Sequence, residues 1–390
     1  MTTSALRAEE SGFQGDIEFL RKHVETIVLG GEAAGPRVAV VPAYQGRVMT
    51  STTGGASQPS FGWINRAHIE SGKSTPHINV FGGEERFWMG PEGGQFSIFF
   101  PPGGKFELAD WQTPAAIDSE PFAVADKNDS SVRFRQDTQL KNYSNTEFQV
   151  RVERAIELVS KAAAEKSLGR PLGDLRMVGY RSTNRLTNIG TATWQKQSGL
   201  LSIWILGMYK PGPRTTVVIP FRLGDEEKLG PIVNDAYFGK PPADRLKIAS
   251  GVVFFSGDGR FRSKIGLSPR RARDVCGSWD AAVGVLTIVK YSQPDASVTD
   301  YVNSMWEIQS QPYAGDAVNS YNDGPPSPGA KPLGPFYELE TSSPALALAP
   351  GKSAEHIQET YHFEGDRAAL DAFAEDVLGA SLNEIEQSLR

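Results

Sequence analysis

The sequence predicts an all-β protein whose antiparallel strands close into a sandwich or barrel, and three observations carry that expectation. Short segments rich in Val, Ile and Phe recur along nearly the whole chain, each broken after a few residues by Gly, Pro or Asn. The 40 glycines and 26 prolines supply the turns such a succession of strands requires. Almost no long helical periodicity separates the segments, which argues against alternating β–α units around a parallel sheet. At 390 residues the chain is long enough for two domains, but all-β architectures run past about 200 residues as one unit. Its 39% hydrophobic content is enough for a sizeable core.

Taken in order, DIEFLRKHV (16–24) reads as a short amphipathic helix with Asp16 as N-cap and Ile17, Leu20 and Val24 on one face. ETIVLGG, RVAVVPA, GRVMTS, GQFSIFF, SVRFRQ and FQVRVERAIELV then read as strands. The same texture returns in LLSIWILGMY, TTVVIPF, GVVFFSG, AVGVLTIVKY, SMWEIQS and PFYELET. DGPPSPGAKPLGP (323–335) is a Pro/Gly loop rather than a linker, because strand texture resumes beyond it. Near the end, Asp366 is placed to cap a helix whose Leu370, Phe373, Ala374, Val377 and Leu378 fall on one face, with Gly379 at its stop. Ser381 and Glu384 form the pattern of a capping box opening a second helix. The expected organisation is a tail and short helix over 1–24, one β unit over 25–365 and a helical segment over 366–390.

Composition excludes several classes. A net charge of −6 with no basic stripe argues against nucleic acid as a partner. One cysteine, Cys276, rules out an intramolecular disulfide and reads as a small buried hydrophobe. The five histidines show no metal-ligand spacing, and no metal and no cofactor is expected, with a calcium or magnesium site built from carboxylates left open. No stretch approaches the roughly 18 apolar residues of a membrane-spanning helix, and Met1–Gly15 has no leader pattern. The expected compartment is the cytoplasm by default, with a periplasmic or secreted location as the alternative if a leader has been removed. The oligomeric state is left open.

VAVVPAYQGRVMTSTTGG, NRLTNIGTATW (184–194) and LETSSPALALAPGKSAEHIQETYHF (339–363) carry a family signal. They resemble, respectively, the opening strands, the asparagine-turn strand and the terminal strand pair of the galactose mutarotase-like superfamily, which includes aldose 1-epimerases. The terminal stretch, with its Glu-Thr pair, Leu-x-Pro-Gly turn and Thr-Tyr-x-Phe strand, is the specific match. The rest of the chain looks like a divergent family within that superfamily. The resemblance implies an antiparallel β-supersandwich, a carbohydrate ligand and a catalytic base at Glu340. It also exposes a departure: Ile189 stands where epimerases carry a histidine after the Thr187-Asn188 pair, and no histidine lies between His77 and His356. Ring opening needs one group to take a proton and another to give one, and isoleucine does neither.

The remaining candidates follow from side-chain chemistry. Glu338 and Glu340 alternate along one strand and so share a face, where two carboxylates push one pKa upward and create an acid and a base. GGEERFWMGPEGGQF (82–96) sets Arg86, Glu92 and Gln95 around Trp88, groups suited to sugar hydroxyls and to stacking on a pyranose. His77 lies just upstream. DAVNSYNDGPP offers Asn319, Tyr321, Asn322 and Asp323 as hydroxyl partners. SGDGRFRSKIGLSPRRARD (256–274), with Lys264 among its basic residues, reads as a hairpin and solvated loop turned by Asp258-Gly259, and less readily as an anion site. Two functions remain in play. One is a carbohydrate-active enzyme of epimerase, hydrolase or lyase type, with Glu340 as base and Glu338, Glu92 or His77 as acid. The other is a sugar-binding module that has lost the chemistry.

Overall fold

The structure is a computed structural model that describes residues 12–31, 35–55, 58–249, 251–295 and 297–389, so the expected tail before Gly12 lies outside the described residues. The chain opens with helix α1 (Phe13–His23). Strands β1 (Ile27–Leu29), β2 (Arg37–Val41) and β3 (Arg47–Thr52) follow, then helix α2 (Arg66–Ser71) and β4 (Arg86–Gly90). Next come β5 (Ala123–Lys127), β6 (Ser131–Lys141), β7 (Glu147–Leu158), α3 (Lys161–Leu168) and β8 (Arg176–Asn188). The middle carries β9 (Ser202–Tyr209), β10 (Thr215–Pro220), the single-turn α4 (Glu226–Leu229), β11 (Leu246–Ala249), β12 (Val252–Ser256) and β13 (Ser263–Leu267). Then follow β14 (Val275–Asp280), β15 (Val285–Tyr291), β16 (Val318–Asn322), β17 (Tyr337–Ser342) and β18 (Ser353–Glu364), before helices α5 (Arg367–Leu378) and α6 (Leu382–Ser388).

Three antiparallel sheets result. A ten-stranded sheet runs in the order β11-β12-β10-β14-β15-β18-β8-β7-β6-β5, a five-stranded sheet in the order β13-β16-β17-β9-β4, and β1-β2-β3 form a small third sheet. The two larger sheets pack face to face. Ile265, Val318, Tyr337, Leu339 and Tyr209 of the five-stranded sheet meet Val217, Val253, Phe255, Cys276 and Val289 of the ten-stranded one. This is the predicted antiparallel supersandwich. It explains why the strands read as nearly continuous apolar runs, since the large sheet is buried on both faces over much of its width. On the far side of that sheet, Leu370, Phe373, Ala374 and Leu378 of α5 and Leu382 and Ile385 of α6 cover Val218, Phe254, Leu286 and Ile288. Asp366 caps α5 by accepting from Ala368 and Ala369, Gly379 ends it at φ 75°, and the Ser381–Glu384 capping box is present.

Several local expectations fail for identifiable reasons. Asp16 is not an N-cap. It lies inside α1, buried, accepting from Arg66 at 2.6 Å and from Ser60, and Gly12 precedes the helix. GQFSIFF and SMWEIQS form no strand; their apolar residues instead fill an aromatic cluster in which Phe99 and Trp306 both stack on Trp111. Asp258-Gly259 does not turn a hairpin, because β12 and β13 belong to different sheets. Conversely, strands form in two segments not counted among the strands from sequence: β4 pairs with β9 at the sheet edge, and β16 lies between β13 and β17, so cross-strand pairing rather than composition fixes them. No described helix is long and apolar enough to cross a membrane.

Candidate functional site

The site is built on the face of the five-stranded sheet that points away from the ten-stranded one. Alternation decides which side chains share it. Along β17, Tyr337 and Leu339 enter the core between the sheets, which sends Glu338 and Glu340 to the opposite face. Register then aligns the neighbours. Glu340 pairs with Asn319 on β16 and with Leu206 on β9, and Leu206 pairs with Arg86 on β4. Lys264 on β13 pairs with Tyr321, which pairs with Glu338. Trp204 sits between Trp88 and Ser342. Loops roof this face and leave a pocket lined by Gly90, Trp204, Tyr237, Lys264, Ser304 and Asp316, among others.

Glu340 lies behind two of the lining residues, Trp204 and Lys264, and is 0% exposed. Its Oε2 accepts from the Trp204 indole at 3.0 Å and from Lys264 Nζ at 2.9 Å, whereas Oε1 is buried with no hydrogen-bond partner. Such an oxygen is costly, because it has given up water for nothing. Lys264 is the pivot of the site. Its ammonium lies 4.8 Å from the Trp204 ring centroid and 5.3 Å from that of Tyr237. Burial opposes its charge, but the pull of Glu340 and Glu92 outweighs burial and holds its pKa above the ordinary lysine value. Burial raises the Glu92 pKa, with Glu340 adding and Lys264 opposing, so Glu92 and Glu340 feel one another's charge. Asp316 completes the wall. Its Oδ2 accepts from Asn234 and Tyr237, each at 2.8 Å, and burial raises its pKa. Gly266 is required beneath it, because a Cβ there would lie 2.1 Å from that oxygen.

Of the residues singled out from sequence, Asn319 lines the pocket and reaches toward Asp316 and Tyr237, whereas Glu340 is bonded to the lining Trp204 and Lys264 and Glu92 donates its amide to the lining Ser304. Glu338 and Arg86 share the face but bind each other at 3.0 Å. Burial carries the Glu338 pKa to about 7, with Glu340 adding and Arg86 and Lys264 opposing. Trp88 does not offer a face to a sugar: it is buried, with the Arg86 guanidinium 4.1 Å from its ring centroid and Trp204 against its edge. Gln95 is a clip rather than a ligand contact, exchanging hydrogen bonds of 2.8 and 2.9 Å with the Gln309 backbone. His77 holds the Trp111 carbonyl through Nδ1 at 2.6 Å and is not joined to the carboxylates. Tyr321 donates to Asp323 at 2.7 Å, and Asp323 also accepts from the Gly334 amide. Asn322 points to the other face, where it bonds Asp258, the Gly259 amide and the Phe261 carbonyl.

Sequence reasoning missed Trp204, Tyr237 and Asp316, and left Lys264 in a solvated loop. Trp204 was hidden in an apolar strand, and Asp316 looked like any loop acid. One signal was available: lysine in the alternation S-K-I-G-L marks a strand face that bears charge. Its basic neighbours went elsewhere. Arg271, for instance, is spent on the carbonyls of Gly230, Arg222 and Gly224. Among the described residues no group of three or more metal-ligating side chains could hold an ion.

This architecture is the galactose mutarotase-like fold. The Slr1438 protein of Synechocystis superposes over 88% of this chain and 96% of its own, with a TM-score of 0.52 at 12% identity. An Escherichia coli protein described as a "putative aldose 1-epimerase" covers 87% and 99%, with a TM-score of 0.50 at 12% identity. A galactose mutarotase-like protein of Lactobacillus casei covers 87% and 100%, with a TM-score of 0.49 at 10% identity. Within this fold the chain belongs to DUF6786, a family of unknown function, which it matches over residues 11–389. No curated protein matches its sequence.

Proposed function

We propose that the protein binds a carbohydrate in the pocket above Glu340 and acts on it by acid–base chemistry. The observation that carries this reading is the buried carboxylate of Glu340, gripped through one oxygen by Trp204 and Lys264 while the other has no partner. A donor from a ligand hydroxyl satisfies that oxygen and places a proton where Glu340 takes it. Glu92, whose pKa burial raises, supplies the acid in place of the missing mid-chain histidine. Asn319, Asp316 and Tyr237 are the hydroxyl partners, and Trp204 is the apolar wall. The likeness to the Escherichia coli protein described as a "putative aldose 1-epimerase" fits a sugar ligand. Epimerisation, glycoside hydrolysis and elimination each need such a pair of groups beside an anomeric or neighbouring carbon.

One observation favours the second reading, a binding module without turnover. Lys264 already holds Glu340 as a closed ion pair through Oε2, an arrangement that stands without any substrate proton. A panel of monosaccharides and glycans, with binding and product formation followed in the same samples, separates the two. Turnover that falls as pH rises, with the alkaline limb abolished in Glu92→Gln, supports the enzyme. Binding without product supports the module. No binding to any sugar rejects both.

A further inference from the structure

We infer that the pocket is one end of a longer cleft, and that the ligand is an oligosaccharide whose second ring lies on Trp306. The inference rests on the sugar-binding reading and extends it to the class of ligand. The segment 302–306 carries the argument. Val302 and Ser304 line the pocket, and two residues further along the chain Trp306 is only half-buried. The two positions are physically coupled. The Ser304 hydroxyl accepts from the Glu92 amide at 3.2 Å, and Trp306 is among the groups that oppose the upward push of burial on the Glu92 carboxyl. Glu92 therefore stands at the junction between the pocket and Trp306.

Trp306 is also held rigidly. Its ring stacks on Trp111 at 5.8 Å and 23°, and Phe100 meets it edge-on at 5.1 Å. Gln309 ties the same segment down by donating to the carbonyls of Asn303 and Met305. A tryptophan backed by a second ring and still partly open loses little entropy on receiving the C–H face of a pyranose. Leu108 and Ile308 stand exposed in the two segments that contribute Trp111 and Trp306, at 61% and 63%. Since Glu92 lies between the two positions, a glycosidic oxygen joining two rings falls nearest the group assigned as acid.

The test compares glucose, galactose, mannose and glucuronate with di- and trisaccharides built from them, using the full chain and its Trp306→Ala and Trp306→Phe variants. The second ring is expected to tighten binding by about tenfold in the native protein, or about 1.4 kcal/mol. Trp306→Ala should remove that gain while leaving monosaccharide affinity within about twofold, and Trp306→Phe should retain most of it. Equal weakening of mono- and oligosaccharides in Trp306→Ala overturns the inference, because Trp306 would then act only through Glu92. Absence of any gain from a second ring overturns it as well. Failure of every sugar to bind the native chain removes the underlying reading too, a different result from monosaccharide binding that survives alone.

Discussion

Two clusters of buried charge lie on opposite faces of the five-stranded sheet, and in only one of them does every carboxylate oxygen have a partner. Between the sheets, Glu85 bonds Arg154 through Oε1 at 2.7 Å and Gln358 through Oε2 at 3.0 Å, and Arg154 also donates to Asn184 and to the Gly46 carbonyl. Beside it, both Glu84 oxygens accept from Ser51, and His362, which also bonds Thr287, meets Oε2 at 3.1 Å. On the outer face, Glu340 uses one oxygen and leaves the other without a partner, next to a pocket. Burial is alike in the two cases, for Glu85 and Glu340 are both 0% exposed. The difference lies in satisfaction. A closed network fixes the relation between two sheets, whereas an open one keeps capacity for something that arrives.

This contrast orders the expected effects. Glu340→Gln should lower turnover by about 10²–10⁴-fold, because glutamine keeps the shape but takes no proton at neutral pH. Sugar affinity should fall far less, and the thermal midpoint should fall as well, because the buried Lys264 ammonium loses its counter-charge; turnover per folded molecule, titration and a melt on one preparation measure all three. Arg154→Met should act on stability alone. It strands Glu85 as an unpaired buried charge, at a cost of about 3–5 kcal/mol in denaturant unfolding, with sugar affinity per folded molecule unchanged. If Arg154→Met proves harmless to stability, the inner network is not what joins the sheets.

Two smaller effects sharpen the picture. The Glu338 pKa is raised from 4.5 to about 7 in the fold, so the native state holds more protons than the unfolded chain between those values. Stability from this group is therefore present below about pH 4.5 and is lost as pH rises through about 7. Glu338→Gln should flatten that part of the stability–pH curve, and an unchanged slope would assign it to another group. Ser381→Ala, which removes the capping box of α6, should cost about 1 kcal/mol and leave the pocket untouched. A larger loss would mean that the terminal helices contribute more to the ten-stranded sheet than their packing suggests.

Local signals were legible in the sequence and cross-strand ones were not. Asp366, Gly379 and the Ser381–Glu384 box act within a few residues, so their chemistry is written in their spacing. Glu340 was reached through the resemblance of the terminal strands. The groups that give it meaning are Trp204 and Lys264, 136 and 76 residues away in sequence, and no periodicity joins them. Trp88 and Gln95 were attractive by type, yet packing had already committed them, one beneath Arg86 and the other to Gln309. GQFSIFF and SMWEIQS have strand composition, but register gives them no partner, and aromatic packing takes their apolar side chains instead.

The central claim is that the Lys264–Glu340 pair serves a ligand rather than the fold, and its replacement by apolar residues of similar size tests this most directly. Removing both charges leaves no unpaired ion behind, and such exchanges of structural pairs are often neutral or stabilising. Lys264→Met combined with Glu340→Leu is therefore expected to fold with a thermal midpoint equal to or above that of the native chain. It is also expected to lose at least tenfold in affinity for whichever sugar of the panel the native chain binds. Native affinity in the folded double variant, or its collapse with the sugar site otherwise intact, would contradict the account.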